Sequence, residues 1–228
     1  MTSCNIRKTS LRIADLAIGH GGRILVRDIS FELSPGDCVL LAGANGTGKT
    51  TLLKALASEG TGPGNCAILI PTNIPKVKGF TMEAFVRTGC YRESDWKGRI
   101  SKEAAVRLDG ALEVLGIQGL KQRDISTLSD GEFKKACLAV GLTRQAEVLL
   151  LDEPTAFLDV ENRLSVLQTL RDVARKTGTA VLFSSHDLHD ALPTVDRVFA
   201  LTRDGRFLVS GPDDQETVLK EAFPALQL

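Results

Sequence analysis

Residues 43–50, GANGTGKT, constrain this chain more than any other stretch. The pattern G-x-x-x-x-G-K-T stands between an apolar run, CVLLA at 38–42, and a helix-like run, TLLKALAS. A strand that breaks at such glycines and resumes as a helix wraps its backbone N–H groups around phosphate oxygens. Gly43 opens the loop, Asn45 lies within it, and Gly46 and Gly48 let the backbone turn inward. The helix that follows aims its positive dipole end at the same point. Lys49 is placed to bridge the outer phosphates, Thr50 to ligate Mg²⁺, and Thr51 to touch a phosphate farther in. The competing reading is a glycine-rich turn with a surface lysine; the flanking strand and helix argue against it.

The rest of the chain supplies the matching architecture. LRIADLAI (11–18) and ILVRDISFEL (24–33) alternate like strands joined by the turn GHGG. CAILI (66–70), VLLL (148–151) and TAVLF (179–183) are short apolar runs of buried-strand type. RVFAL (197–201) and RFLVS (206–210) form a hairpin through Asp204-Gly205. Helices are expected over 81–89, 101–115, 131–146, 161–176 and 213–223. Ala105, Leu108, Leu112 and Leu115 form the apolar face of the second of these. Leu164, Leu167, Leu170 and Val173 form that of the fourth, with Gly178 beyond its end. Buried strands alternating with helices specify an α/β fold with a mainly parallel sheet, here a P-loop nucleotide-binding core with an N-terminal antiparallel β subdomain. Strands stop between 73 and 146, so a helical subdomain is inserted there. The chain reads as one domain over 1–228, with about 1–72 and 147–228 forming the core.

Composition limits the partners. Lys+Arg and Asp+Glu are each 28, a balance that offers nucleic acid no basic surface. Five well-separated cysteines, Cys4, Cys38, Cys66, Cys90 and Cys137, have no metal-ligand spacing and read as free thiols in a reducing compartment. The N-terminal MTSCNIRKTS has no signal-peptide apolar core. No run approaches the ~20 apolar residues that span a bilayer, so a membrane role is expected through a partner.

Two further stretches carry chemistry. In VLLLDEP (148–154), Asp152 and Glu153 emerge at the C-terminal tip of a buried strand, where α/β sheets bind ligands. Asp152 is placed to hold Mg²⁺ and Glu153 to polarise an attacking water. Two adjacent carboxylates also suit surface charge or a turn cap; the nearby phosphate loop favours the metal site. His186 in FSSHDL follows another apolar strand at the same edge and is placed to contact a γ-phosphate, although a lone histidine there is more often structural. His189, three residues on, reads as a solvated surface residue.

LSDGE (128–132) precedes the Asp-Glu strand by roughly 20 residues and reads as a capped helix start. With GANGTGKT, LLLDEPT, AFLD (156–159) and SSHD in this order, the chain resembles the ATP-binding cassette (ABC) ATPases over nearly its whole length. The resemblance implies ATP and Mg²⁺ as cofactors and a homodimer of head-to-tail cassettes. Ser129 and the helix behind it would face the γ-phosphate bound by the partner's Lys49, with Gly131 allowing close approach; a helix N-terminus suits that task because its N–H groups attract anions. DEPTAFLDVENR, FSSHDLHDAL and GFTMEAFVRTGCYRESDWKGRIS are similar to the cassettes of bacterial importers for iron complexes and cobalamin. That similarity implies transmembrane permease subunits, indirectly a periplasmic or lipoprotein substrate-binding protein, and a place on the cytoplasmic face of the inner membrane. Residues 72–97 would then form the permease contact, with Phe80, Tyr91 and Trp96 either anchors or small-core fillers. The alternative is a soluble ABC switch acting on protein or nucleic acid.

The sequence departs from the family pattern at several places. Thr72 falls where a metal-contacting glutamine is usual, so its hydroxyl is expected to reach Mg²⁺ through water. His20 falls where an aromatic stacks on adenine, and is either a weaker stacking partner or a turn residue. The segment 54–65 is short, and FKK (133–135) replaces a polar-basic run.

Overall fold

The computed structural model describes residues 10–59 and 67–224; Cys4, Cys66 and the loop 60–65 lie outside the described residues. β1 (Leu11–His20) and β2 (Arg23–Leu33) pair antiparallel. Their turn is Gly21-Gly22, at φ +58° and +79°, a left-handed pair that glycine adopts without penalty. Next come β3 (Cys38–Gly43), α1 (Lys49–Glu59), β4 (Ala67–Ile70), α2 (Met82–Arg87), α3 (Lys102–Val114) and α4 (Asp130–Thr143). They are followed by β5 (Val148–Leu151), α5 (Val160–Thr177), β6 (Ala180–Ser184), α6 (Leu188–Ala191), β7 (Arg197–Leu201), β8 (Phe207–Val209) and α7 (Gln215–Ala222).

The main sheet runs β4-β5-β6-β3-β7-β8. Its first five strands are parallel and only β8 is antiparallel. Because side chains alternate across a sheet, each central strand feeds two cores. Cys38, Leu40 and Ala42 join the core beneath α4 and α5, while Val39 and Leu41 join the one beneath α1 and the β1–β2 hairpin. Strand burial on both faces explains why these runs are apolar throughout. The burial of each leucine contributes about 1.5–3 kcal/mol.

Two predicted helix faces shift. On α5 the buried stripe is Val166, Leu167, Leu170, Val173 and Ala174, while Leu164 is 46% exposed. A step of three residues drifts by about 60° from one to the next, so Leu164 has rotated off the stripe. On α3, Ala104 rather than Ala105 lies on the face with Leu108, Ala111 and Leu112, one four-residue step before Leu108. Helix boundaries follow their caps: Ser101, Ser129 and Asp159 each accept an N–H from the first turn, and Gly178 ends α5 at φ +66°.

Between β4 and β5 the described residues form helices, short 3-10 turns and one isolated bridge, Thr81 to Asp124. Phe85 and Phe133 meet there at 5.5 Å between ring centroids. Phe80, Tyr91 and Trp96 do not fill that small core: they are 45%, 80% and 89% exposed. Cys38, Cys90 and Cys137 are free and buried. Burial pushes the Cys38 and Cys137 thiols up to about 12, which makes them inert packing groups.

Candidate functional site

The loop between β3 and α1 is built around its glycines. Gly46 and Gly48 sit at φ +80° and +105°. A Cβ on Gly48 would stand 3.1 Å from Ile18 Cδ1, so the hairpin packs directly on the loop. A Cβ on Gly43 would meet Thr47 Oγ1 at 2.6 Å. Thr47 instead folds back to donate to the Ala44 carbonyl at 3.0 Å. Lys49, only 8% exposed, donates to the Gly43 carbonyl at 2.8 Å and lies 4.0 Å from Glu153 Oε1. Burial lowers the Lys49 pKa, while the Glu153 and Asp152 carboxylates oppose that shift.

The parallel register sets the carboxylates beside this loop, because β5 reaches β3 through β6. Thr50 Oγ1 donates to Asp152 Oδ2 at 2.8 Å, and Ser184 Oγ, at the end of β6, donates to Asp152 Oδ1 at 2.9 Å. The same Ser184 oxygen accepts the Glu153 N–H at 2.9 Å. Thr72 Oγ1 donates to the Asp152 carbonyl, also at 2.9 Å. Glu153 itself is held at φ +48°, a conformation costly for a side chain with a Cβ.

Glu153 Oε1 is a buried acceptor without a hydrogen-bond donor. His186 Nε2 stands 3.0 Å away, at ion-pair distance. Burial raises the Glu153 pKa above the usual glutamate value, and the nearby His186 and Lys49 charges partly offset this. A buried carboxylate oxygen left open beside Lys49 and His186 is placed to take a proton from a water on the phosphate side.

These residues line one cavity of about 560 Å³. Of the predicted positions, His20, Asn45, Gly46, Gly48, Lys49, Thr50, Thr51, Thr72, Asp152, Glu153 and His186 all face it. Gly43 lies just behind, as the carbonyl that holds Lys49. Ser129 and Gly131 stand apart from it, at the start of α4. Ser129 is exposed and forms a reciprocal capping box with Glu132 at 2.8 and 3.2 Å. Gly131 is buried against Asn162, where an added Cβ would lie 3.1 Å from Oδ1. His189 is 91% exposed.

Sequence reading missed Leu25 and Lys54, which also line the cavity, and Ser184, which holds both carboxylate residues. A serine at a strand end beside His186 was the available signal for Ser184. Leu25 comes from the hairpin, and its approach depends on tertiary packing alone. Lys134, within FKK (133–135), donates across to the Thr72 carbonyl at 2.8 Å.

The oxygens around Asp152 and Thr50 are the hard donors that a divalent cation such as Mg²⁺ takes. Among the described residues no group of three or more His, Cys, Asp or Glu forms a closed metal cage.

Comparison with known proteins agrees with this geometry. A family profile described as ABC transporter matches residues 26–156. A hemin import ATP-binding protein of Agrobacterium fabrum is 33% identical over 229 residues, covering 89% of this chain and 85% of that protein. The achromobactin transport ATP-binding protein of Dickeya dadantii is 27% identical over 236 residues, covering 94% and 88%. Among solved structures, a metal-chelate type ABC transporter in an inward-facing conformation superposes with a TM-score of 0.79 at 21% identity, covering 93% of this chain and 88% of that one. The chain therefore belongs to the ABC transporter family, as an ATP-binding, ATP-hydrolysing subunit.

Proposed function

We propose that this ATPase powers import of an iron complex or a similar metal chelate, working as a head-to-tail homodimer on a membrane permease. The observation that carries the catalytic part is the open Glu153 Oε1, held between Lys49 and His186 in the phosphate-loop cavity. Lys49 leaves the Gly43 carbonyl for the β- and γ-phosphate oxygens, and the loop amides cradle the phosphates. His20 and Leu25 flank the adenine at the hairpin edge of the cavity. Thr50 and Asp152 would hold Mg²⁺, with the Thr72 hydroxyl reaching it through water, and the ion would supply positive charge against the phosphates. Glu153 accepts a proton from the water aligned on the γ-phosphorus. His186 donates to the γ-phosphoryl oxygens.

The dimer reading is supported by exposure at Ser129. It heads a 14-residue helix whose positive end faces outward, clear of its own cavity. Asp130 would repel a phosphate, but its carboxylate is paired with Lys76 at 2.7 Å. Ser129 of the partner subunit then closes over the nucleotide, and hydrolysis releases it.

Transport is supported by the relatives, whose names specify hemin and achromobactin among other cargoes. No helix among the described residues is long and apolar enough to cross a membrane, so the permease supplies the path. The chain then sits peripherally on the cytoplasmic face of the inner membrane, with a periplasmic or lipoprotein binding protein choosing the cargo. Within it, 73–146 acts as the helical unit that meets the permease. Co-purification of the tagged chain from its native cells tests this reading. A membrane permease should accompany it and raise its ATPase rate. A chain recovered without a membrane protein, hydrolysing at a fixed rate, overturns it.

A further inference from the structure

The first turn of α5 carries two side chains that reach in different directions. Asp159 accepts the Asn162 N–H at 2.8 Å, and Asn162 Nδ2 donates to Asp159 Oδ2 at 2.9 Å. Asn162 Oδ1 lies against Gly131 at the start of α4. The next residue, Arg163, turns toward the loop after β6. Its Nη1 lies 2.6 Å from Asp187 Oδ2, and its Nε lies 3.5 Å from Asp190 Oδ2. The Arg163 side chain is 19% exposed, and its Nε has no hydrogen-bond partner. The short contact therefore goes to Asp187, the residue directly after His186. Asp187 is held a second time, because its N–H donates to Ser185 Oγ at 3.0 Å.

None of these groups lines the nucleotide cavity. Withdrawing a guanidinium from water is unfavourable unless a carboxylate offsets it, so the pair fixes whatever stands on the Asp187 backbone. The His186 side chain is 51% exposed, so packing restrains it weakly and its loop must be held from behind. We propose that Arg163 is a positioning residue for His186: by gripping Asp187 it fixes the backbone from which His186 Nε2 reaches to 3.0 Å from Glu153 Oε1. The assignment rests on His186 acting at the γ-phosphate. It also gives the first turn of α5 two duties. Asn162 touches the helix headed by Ser129, and Arg163 touches the histidine loop, so a displacement of this turn reaches both.

The test is steady-state ATPase activity of the full chain in five variants: Arg163→Gln, Arg163→Lys, Asp187→Asn, the Arg163→Gln/Asp187→Asn double, and His186→Ala. Asp187 and Asp190 are 47% and 26% exposed, so water replaces the lost guanidinium and the fold is expected to survive. Arg163→Gln should lower kcat about tenfold with KM changed by less than about twofold, as misplacement of a catalytic group does. Arg163→Lys should recover most of that loss. The double variant should be no slower than the slower single one, because both remove the same link. An unchanged kcat in Arg163→Gln beside an inactive His186→Ala overturns the Arg163 assignment alone. Wild-type turnover in His186→Ala overturns the reading of the site and this inference with it. A parallel fall of kcat, KM and melting temperature without rescue by lysine marks the contact as scaffold only and also overturns the assignment. Should Arg163→Gln fail to fold, Asp187→Asn removes the same link from its exposed side and is judged by the same kcat and KM criteria.

Discussion

The Ser184 hydroxyl donates to Asp152 Oδ1 and accepts the Glu153 N–H, both at 2.9 Å, so one buried oxygen holds the two carboxylate residues at the tip of β5. Glu153 occupies a left-handed backbone position that needs such support. Ser184→Ala orphans a part-buried N–H and removes a donor from Asp152. Each unsatisfied group costs about 1–3 kcal/mol. Thermal unfolding should show a drop of several degrees for a chain of this size, at roughly 2–4 °C per kcal/mol. ATPase turnover should fall with it. An unchanged melting temperature would mean that water replaces the hydroxyl.

Much of this site was legible because each part sits where a strand ends. The phosphate loop through Thr50 leaves the end of β3 at Gly43, Asp152 and Glu153 follow β5, and His186 follows β6; a parallel sheet brings those ends together. The groups that sequence reading missed act across the fold. Ser184 looks like one more strand residue until β6 pairs with β5. Leu25 enters through packing of the hairpin, and Lys134 through the crossing of α4 and the Thr72 loop. The exposure of Leu164 has a simpler origin: a three-residue spacing rotates steadily around the helix and leaves the buried stripe. Phe80, Tyr91 and Trp96 read from sequence as either partner anchors or core fillers; their exposure removes the core reading, and Phe85 and Phe133 fill the helical unit instead.

Replacing the proposed base, Glu153, separates binding from chemistry. Glu153→Gln keeps the shape of the side chain and removes its ability to take a proton. Turnover should fall by roughly 10²–10⁴-fold, the range for losing acid–base assistance, while MgATP still binds. Lys49→Ala removes the phosphate-facing ammonium, and nucleotide binding followed by equilibrium titration should disappear. A Glu153→Gln chain that hydrolyses at the wild-type rate refutes the base assignment, and unaltered affinity in Lys49→Ala refutes the phosphate-loop one.

The raised Glu153 pKa has opposite consequences for activity and stability. A base must be ionised, so the acid limb of the kcat/KM profile, which reports the free enzyme, should lie above the ordinary glutamate value of 4.5. For stability, a carboxyl raised on folding favours the folded state in its protonated form. That contribution is fully present below the unfolded pKa and is lost as pH rises through the folded one. Glu153→Gln should therefore match or exceed the wild-type melting temperature at neutral pH, and the difference should shrink as pH falls toward 4.5. An acid limb at or below 4.5 would show that the catalytic carboxyl is not the buried one.

Trp96 offers a test of the transporter reading that leaves the catalytic site untouched. Its side chain is 89% exposed, with Lys97 Nζ 4.6 Å above its ring, and Tyr91 nearby in sequence is 80% exposed. A large apolar ring held in water contributes nothing to the fold, and exposed aromatics of this kind are enriched at contact surfaces. Surface substitutions away from packing usually change stability by less than about 0.5 kcal/mol. Trp96→Ser should accordingly leave the melting temperature and the permease-free ATPase rate as they are. Co-purification with the permease, and stimulation by it, should weaken at least severalfold if Trp96 anchors the contact. The Trp96→Ser/Tyr91→Ser double variant sharpens the comparison, because both rings lie in the segment between α2 and α3. A double variant that binds and responds to the permease as the wild type does would move the contact surface to another face of the helical unit.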